Sequence, residues 1–366
     1  MWPAFAFILG LVVGSFLNVV IHRLPKGESI VFPPSRCPAC GHRLAPKDLV
    51  PVLSYLALRG RCRYCAHPIS PRYPLVEALT GLLFALAAFF FPPSPQAFLT
   101  FAFLALLVAL SFIDLDTYEL PDSLTYGLLF LGLLSAYLHS GAPTPQMNHS
   151  FPRSFSQALD GSLLAAGVLG LVAGYGALLL RRFREGRAEV PVGPHQVHMA
   201  ALFGALLGPG VGMALAFLTW ALSGRTGRPV VLPDRITLPL LPLAWALAPY
   251  LGADLLSTLK GSLLSAGGLA LAGGLYWALR PQEEGGEEEE PVAMGYGDVK
   301  LLGALGAWLG LYSLLALFLG VLAGAFFGLA FRQRKVPFGP YLALGGVVAF
   351  FFGEALWRAY LAWLGL

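Results

Sequence analysis

Long apolar runs, separated by charged residues, prolines or polar clusters, recur along almost the whole of this 366-residue chain. Hydrophobic residues make up 57% of it and charged residues only 12%, whereas an ordinary soluble domain is about 25% charged. A disordered chain is excluded because it would be poor in apolar residues. A disulfide scaffold is excluded because the chain has only four cysteines. The sequence therefore predicts an all-α polytopic membrane protein.

The apolar runs define twelve candidate membrane segments. At 1.5 Å per residue, a helix needs about 20 residues to cross about 30 Å of hydrocarbon. The segments 197–208 and 298–309 are too short to do so alone, and we expect eleven or twelve transmembrane helices. The predicted segments are 3–20, 76–91, 97–113, 122–139, 158–180, 197–208, 210–223, 231–250, 257–279, 298–309, 312–331 and 338–364.

The basic residues predict which side of the membrane each loop occupies, because cytoplasmic loops are enriched in Lys and Arg. With the N-terminus outside, all 24 Lys and Arg residues except Arg153, Lys260 and Arg358 fall on the cytoplasmic side. Met1–Val20 has no basic residue before its apolar run and strong positive charge after it. We therefore expect a membrane anchor there, not a cleaved signal peptide.

One sizeable polar segment, residues 22–75, interrupts the apolar pattern and holds all four cysteines. Cys37 with Cys40, and Cys62 with Cys65, form two C-x-x-C pairs at a spacing that can place four thiolates around one Zn²⁺. Two disulfides or four free thiols are the alternatives, and the reducing cytoplasm disfavours disulfides. Four thiolates leave no open coordination position. We therefore expect a structural zinc site on which the fold of this insert depends.

Two acidic clusters lie at the cytoplasmic ends of predicted spans, where a carboxylate is costly and by default functional. One runs from Asp114 to Asp122, and the other is a Gly-Tyr-Gly-Asp motif that ends at Asp298. Two carboxylates brought together share a proton, so one can act as general base on water and the other as general acid. Asp114 and Asp298 are the predicted pair for this aspartic protease chemistry. The two glycines let the backbone adopt positive φ and leave room for a substrate strand beside Asp298.

The acidic residues also have structural interpretations. Asp116 and Asp122 could be helix caps, and so could Asp298. The acidic run Glu283–Glu290 has the composition of a solvated hinge and receives no catalytic role.

An internal duplication is visible in the sequence. Residues 161–180 match residues 261–280 at ten of twenty positions, and the Leu-Pro-Asp that ends at Asp122 recurs at Asp234. We therefore expect two homologous membrane regions after the anchor and the insert. The predicted division is 1–21, 22–75, 76–223 and 224–366.

The two copies differ at the candidate catalytic positions. Asp114 corresponds to Thr226 of the second copy, and Asp298 corresponds to Gln196 of the first. Each copy thus keeps one of the two aspartates, and a working pair must be assembled across copies. His195 and His198 stand at the decayed motif of the first copy, and we expect no metal site there.

These motifs together resemble the bacterial type IV prepilin peptidases, a family of leader peptidases and N-methyltransferases. The stretches that carry the resemblance are Gly14–Val20 with Arg23–Pro25, the two C-x-x-C pairs, Tyr73–Glu77, Asp114–Asp122, Gly295–Lys300 and Pro337–Tyr341.

The resemblance implies cleavage of short basic leaders from prepilins or pseudopilins at the cytoplasmic face of a bacterial inner membrane. It also implies methylation of the new amino terminus from S-adenosylmethionine. The family's catalytic aspartates carry over to Asp114 and Asp298. No methyl-donor motif is readable, and Asn18, Glu77 and the insert are only loose candidates. The duplication departs from the family's usual eight-span arrangement.

A secondary transporter is the alternative from another class, since internal repeats and membrane carboxylates also describe transporters. Transporters place such carboxylates near the midplane, often matched in both repeats, whereas here they lie at the cytoplasmic edge and are unmatched. A scaffold with a decayed site is disfavoured by the surviving pair. We expect the lipid bilayer and prepilins as partners and no nucleic acid; the pattern does not predict an oligomeric state.

Overall fold

The structure, a computed structural model, describes residues 1–139, 154–179, 192–280, 295–332 and 336–365. Arg153 and the acidic run Glu283–Glu290 lie outside the described residues, so the predictions that involve them stay predictions.

The described residues form thirteen α-helices and no β-strand, so the predicted all-α fold class is confirmed. Each of the twelve predicted apolar segments coincides with one helix, and the five-residue α2 lies in the polar insert. The helices are α1 Trp2–Arg23, α2 Leu53–Ala57, α3 Arg72–Phe90, α4 Pro95–Thr117, α5 Asp122–His139, α6 Phe155–Leu179, α7 Pro194–Leu207, α8 Pro209–Thr226, α9 Asp234–Leu247, α10 Leu255–Ala278, α11 Tyr296–Leu309, α12 Tyr312–Ala330 and α13 Gly339–Trp363.

Seven helices among the described residues are long and apolar enough to cross a membrane by length and composition. The helices α7 and α11 have 14 residues each, or about 21 Å, and are short as predicted. Both end at a glycine with positive φ, Gly208 at 82° and Gly310 at 56°, which a residue with a side chain rarely adopts. The seven segments are Trp2–Lys26, Arg72–Phe90, Pro95–Thr117, Phe155–Gly176, Leu255–Ala278, Tyr312–Ala330 and Gly339–Trp363.

The chain divides into two compact units, of which the first comprises Met1–Leu124 and Gly324–Ala343. In this unit α1 lies directly against α3, because a Cβ on Gly10 or Gly14 would come within 2.7 Å of α3 backbone atoms. Small residues at such crossings let membrane helices pack by close van der Waals contact. The indole of Trp2 donates a hydrogen bond to the Phe91 carbonyl at 2.8 Å. Unit 1 also contains the polar insert.

The second unit comprises Thr125–Ala323 and Leu344–Leu366 and contains the two matching helices α6 and α10. They cross at equivalent glycines. A Cβ on Gly167 would lie 2.1 Å from the Leu263 carbonyl oxygen, and one on Gly267 would lie 1.9 Å from the Leu163 carbonyl oxygen. Any side chain at either glycine would separate the helices, so this crossing depends on both.

The duplicated helices make matching contacts with the opposite copy. Gly161 of α6 packs on Gly306 of α11, and its counterpart Gly261 of α10 packs on Gly204 of α7. In each case a Cβ on the α6 or α10 glycine would lie within 2.5 Å of the partner glycine's carbonyl oxygen. The two copies are therefore interleaved within unit 2 and do not form separate bundles.

Two tyrosine hydroxyls make matching contacts between the copies. The Tyr126 hydroxyl on α5 donates to the Leu271 carbonyl of α10, and the Tyr175 hydroxyl on α6 donates to the Leu238 carbonyl of α9, both at 2.8 Å. Leu238 occupies the position of the second copy that matches Tyr126. The first-copy helix α5 thus contacts second-copy α10, and the second-copy helix α9 contacts first-copy α6.

Candidate active site and metal centre

The four cysteine sulfurs of the insert converge. One ligand atom from each of Cys37, Cys40, Cys62 and Cys65 lies within 4.8 Å of all the others, and the Cys37 and Cys65 sulfurs are 3.8 Å apart. A tetrahedral zinc site with Zn–S bonds of about 2.3 Å has sulfur–sulfur edges of about 3.8 Å. The cluster could therefore hold a metal ion, as the spacing predicted.

Each cysteine pair is shaped by the same local turn. The amide of Gly41 donates to the Cys37 carbonyl, and that of Ala66 donates to the Cys62 carbonyl, both at 2.9 Å. Gly41 has a φ of 69°, which closes a tight turn, and Ala66 repeats this conformation at 56°. The two turns present their sulfurs to one another from similar backbones.

The thiols perturb one another in the way expected of a crowded cluster. The backbone amide of Cys40 lowers the pKa of Cys37 to about 7, which favours the thiolate. For Cys65, the His67 amide acts in the same direction, but burial and the three neighbouring sulfurs outweigh it and raise the pKa to about 12. Four thiolates in one place need a cation to offset their charge.

Asp48 connects the two halves of the insert. Its carboxylate accepts hydrogen bonds from Arg63 Nε at 2.6 Å, from the Tyr64 hydroxyl at 2.9 Å and from the Ala45 amide at 3.0 Å. The bond from Arg63 holds the pKa of Asp48 below its usual value. The second cysteine pair is thereby fastened to the segment that follows the first.

Asp114 lies in the last turn of α4 with only 5% of its surface exposed. Its Oδ2 accepts a hydrogen bond from the Gly339 amide at 2.9 Å. A Cβ on Gly339 would lie 2.7 Å from that same oxygen, so glycine is required for this contact. Pro337–Tyr341 contributed to the family resemblance, but the pairing of Gly339 with Asp114 was not foreseen.

We predict that Gly339→Ala lowers the rate of substrate cleavage about 10- to 100-fold, because the new methyl group must displace the Asp114 carboxylate. The measurement is the initial cleavage rate of purified, folded variant. Gly324→Ala is the matched control in the same unit, since a Cβ there meets Tyr341 at an ordinary 3.5 Å. Equal rates for both variants would show that Gly339 does not position Asp114.

Two other acids of the Asp114–Asp122 cluster, Asp116 and Asp122, make structural contacts. Asp116 is exposed and forms an ion pair with Arg72, whose second guanidinium nitrogen donates to the Phe112 carbonyl at 2.7 Å. Asp116 lies inside α4 and is therefore not a cap. Asp122 is the first residue of α5, where a carboxylate favours the helix N-terminus.

Asp298 lies in the first turn of α11 in unit 2, and its amide donates to the Gly295 carbonyl at 3.1 Å. The motif glycines do not adopt the positive φ that glycine permits. Gly295 has φ −64° and ψ 138°, ordinary extended backbone, and Gly297 lies within the helix. A Cβ on Gly295 would lie 3.6 Å from the Asp298 carboxylate, an ordinary contact.

The matching motif of the first copy forms a polar cluster around Asp234. His195 Nδ1 lies 2.7 Å and His198 Nδ1 3.0 Å from the two carboxylate oxygens of Asp234, which is 5% exposed. A Cβ on Gly174 would lie 2.3 Å from His198 Nε2, so α6 closes over that ring. No metal cluster besides the four cysteines was found among the described residues. The two histidines and Asp234 therefore tie α7 to α9.

The same cluster also joins the start of α7 to α8, the helix that follows it in the chain. Gln196, which matches Asp298, donates to the Ser223 hydroxyl at 3.0 Å. Ser223 lies on α8 one turn before Thr226, which matches Asp114. Within unit 2, the start of α7 is thus in contact with the last turns of α8.

Two family models match the chain. The bacterial peptidase A24 N-terminal domain matches residues 8–91, and the type IV leader peptidase family matches residues 101–225 and 228–329. The second model therefore covers more than half of the chain in two segments, which fall on the first and second copies.

Several curated relatives are similar over nearly the full length. A prepilin leader peptidase/N-methyltransferase of Burkholderia pseudomallei is 32% identical in an alignment that covers 96% of this chain and 85% of that protein. One of Aeromonas salmonicida is 30% identical, covering 97% of this chain and 92% of that protein. One of Myxococcus xanthus is 52% identical over 137 residues, 37% of this chain and 41% of that protein. No solved structure matches.

Proposed function

Since the chain belongs to the type IV leader peptidase family, we propose Asp114 and Asp298 as the catalytic pair of its activity. The protein is a prepilin leader peptidase and N-methyltransferase. The observation that carries the proposal is the buried Asp114 carboxylate held by Gly339 at the end of a membrane helix. A buried acid in such a place is costly unless it is used. The transporter alternative has no support among the relatives.

The proposed chemistry needs a single shared proton. One carboxylate takes a proton from a water molecule as its oxygen attacks the scissile carbonyl carbon. The protonated partner gives its proton to the leaving amide nitrogen as the carbon–nitrogen bond breaks, which releases the leader acid and the mature amine. We assign the acid role to the buried Asp114 and the base role to Asp298, which is more exposed.

The polar cluster around Asp234, where the first copy has lost the motif aspartate, supports the pairing of Asp114 with Asp298. Its Gln196 is bonded to Ser223 on the helix whose last turn carries Thr226. Because Gln196 and Thr226 match Asp298 and Asp114, this contact within unit 2 favours the choice of the two aspartates as a pair. The duplicated helices of unit 2 do repeat their contacts at matching positions.

We propose Zn²⁺ as the metal of the four-cysteine cluster, in a structural role. Bound zinc would neutralise the clustered thiolates and cross-link the two turns of the insert. All four donors are sulfurs, so the catalytic steps are assigned to the carboxylates.

For the methyl donor we propose S-adenosylmethionine, whose sulfonium supplies an electrophilic methyl group to an uncharged amine. The protein is a multi-pass membrane protein, and we propose the bacterial inner membrane with the N-terminus outside. The insert and both aspartates then face the cytoplasm, where basic prepilin leaders would remain while their apolar helices lie in the bilayer. The distribution of Lys and Arg residues supports this orientation.

Mass spectrometry of a synthetic prepilin incubated with the purified protein tests the function. We expect loss of the leader mass without donor, and a further gain of about 14 Da at the new amino terminus with S-adenosylmethionine. Prepilin that stays intact under both conditions, with a protein shown to be folded, would refute the proposed activity. Cleavage with no mass gain would refute only methylation.

A further inference from the structure

The polar insert of unit 1 carries an apolar surface on its short helix α2. Leu53 and Leu56, which lie on one face because they are three residues apart, are 65% and 62% exposed, whereas Ser54 is 8% exposed. The Ser54 hydroxyl donates a hydrogen bond to the Lys47 carbonyl at 2.8 Å, so α2 is fixed with its serine inward. A water-facing helix has the reverse pattern, with its apolar side chains toward the core. We call Leu53 and Leu56 the α2 apolar face.

A contact with α3 sets the depth of this face along the membrane helices. The Val52 amide, which immediately precedes α2, donates to the Glu77 carboxylate at 2.7 Å. Glu77 lies five residues beyond Arg72, the charged residue at which the candidate span of α3 begins, or about 7.5 Å along the helix axis. An amphipathic helix that lies on a membrane buries its apolar face about 5–10 Å into the boundary between headgroups and acyl chains. The α2 apolar face is therefore held at the depth of this boundary.

The insert also carries the charge that anionic lipids attract. Residues 22–75 contain nine Lys or Arg residues and only two acidic ones. One of the two acids, Asp48, is paired with Arg63 at 2.6 Å. Lys47 and Arg59 are exposed and lie on either side of α2 in the chain. The cytoplasmic leaflet of a membrane is anionic and attracts Lys and Arg residues close to its surface.

We propose that the insert docks on the membrane surface, with the α2 apolar face among the upper acyl chains and Lys47 and Arg59 at the phosphates of anionic headgroups. The leader of a prepilin is basic and would be repelled by the basic insert, so lipid fits this surface better than substrate does. Asp48 joins the second cysteine pair to the segment before α2, so docking also holds the cysteine cluster at the membrane. The preference for anionic lipid rests on the proposed cytoplasmic location of the insert.

The test is photo-cross-linking of the purified full-length protein in nanodiscs that hold one chain each. The lipid is an equal mixture of phosphatidylcholine and phosphatidylglycerol, with a trace of phosphatidylcholine that carries a diazirine on its upper acyl chain. Mass spectrometry then locates the lipid adducts. We expect adducts at residues 53–57, and about tenfold fewer when Leu53→Ser and Leu56→Ser are combined. Replacing all phosphatidylglycerol by phosphatidylcholine should lower the adducts about twofold or more.

Val31→Ser is the matched control. Val31 is apolar, is 79% exposed and lies in the same insert outside α2, so its substitution should leave the adducts at residues 53–57 unchanged. Equal protection of the two cysteine turns from hydrogen exchange shows that the insert of each variant is folded. Prepilin cleavage is measured on the same samples.

Each outcome decides a part of the proposal. Wild-type protein without adducts at residues 53–57, or equal adducts in the folded double variant, would overturn the docking. Loss of the adducts on addition of prepilin, or in discs that hold two chains, would also overturn it, because the face would then belong to the substrate or to a second copy. Adducts that do not depend on phosphatidylglycerol would overturn the role of Lys47 and Arg59. A protein that gives the expected adducts but leaves prepilin intact would support the docking and refute only the proposed function.

Discussion

Asp298→Asn and Asp114→Asn should each abolish prepilin cleavage, with rates lowered by about 10²- to 10⁴-fold or more. An asparagine side chain can neither take a proton from water nor return one to the leaving nitrogen. The Asp114→Asn change is also structurally mild, because the amide oxygen can still accept the hydrogen bond from Gly339. The measurement is the initial cleavage rate at matched amounts of folded protein. Binding of S-adenosylhomocysteine, the product left by the methyl donor, is a second readout and should not change.

Asp234→Asn is the internal control for this prediction. Asp234 occupies the position that matches Asp122 and lies in a homologous cluster, but its carboxylate is engaged by His195 and His198. We expect the variant to be less stable, because two hydrogen bonds to a carboxylate are weakened, and to cleave normally once folded. Loss of cleavage in folded Asp234→Asn would show that the pairing of Asp114 with Asp298 is wrong. So would wild-type cleavage by Asp114→Asn or Asp298→Asn.

The helices were predictable from sequence because a membrane leaves few alternatives. A backbone in hydrocarbon must satisfy its own hydrogen bonds, so each long apolar run has to be a helix. The cysteine cluster was predictable because the chemistry of four thiolates at C-x-x-C spacing is restrictive. Both signals are local and do not depend on which segments become neighbours.

The sequence did not reveal which residues that are distant in the chain come into contact. Asp114 meets Gly339, which is 225 residues away, and no local pattern announces that contact. His195 and His198 were expected only to be remnants of a motif, but they clamp the buried Asp234. A clue existed, since paired histidines and an isolated acid in a membrane region need partners.

The motif glycine before Asp298 shows a different limit. Glycine permits positive φ at position 295, but the backbone there does not use it. Gly295 immediately precedes the first residue of α11, a position for which extended backbone is normal. The requirement for glycine is visible instead at Gly339, where a neighbouring carboxylate leaves no room for a side chain.

Removal of the proposed zinc ion should strongly destabilise the fold of the insert. Structural zinc contributes about 10–16 kcal/mol of apparent binding free energy in zinc-finger peptides. The insert has few large buried side chains to replace such a contribution. We expect about one zinc per chain in the purified protein, and loss of protection from hydrogen exchange across residues 35–70 after chelation. Cys62→Ser should reproduce that loss, since it removes one of the two buried sulfurs.

His42→Gln provides the control, because His42 lies two residues after Cys40, is exposed, and stacks on Tyr64 with ring centroids 3.7 Å apart. A four-sulfur site predicts that this variant keeps its zinc, whereas a site with a histidine ligand predicts loss. Chelation also distinguishes unfolding of the insert from unfolding of the helices in unit 2. Protection of the helices in unit 2 should survive it. A protein that releases its zinc and retains full protection of the insert would contradict a structural role for the metal.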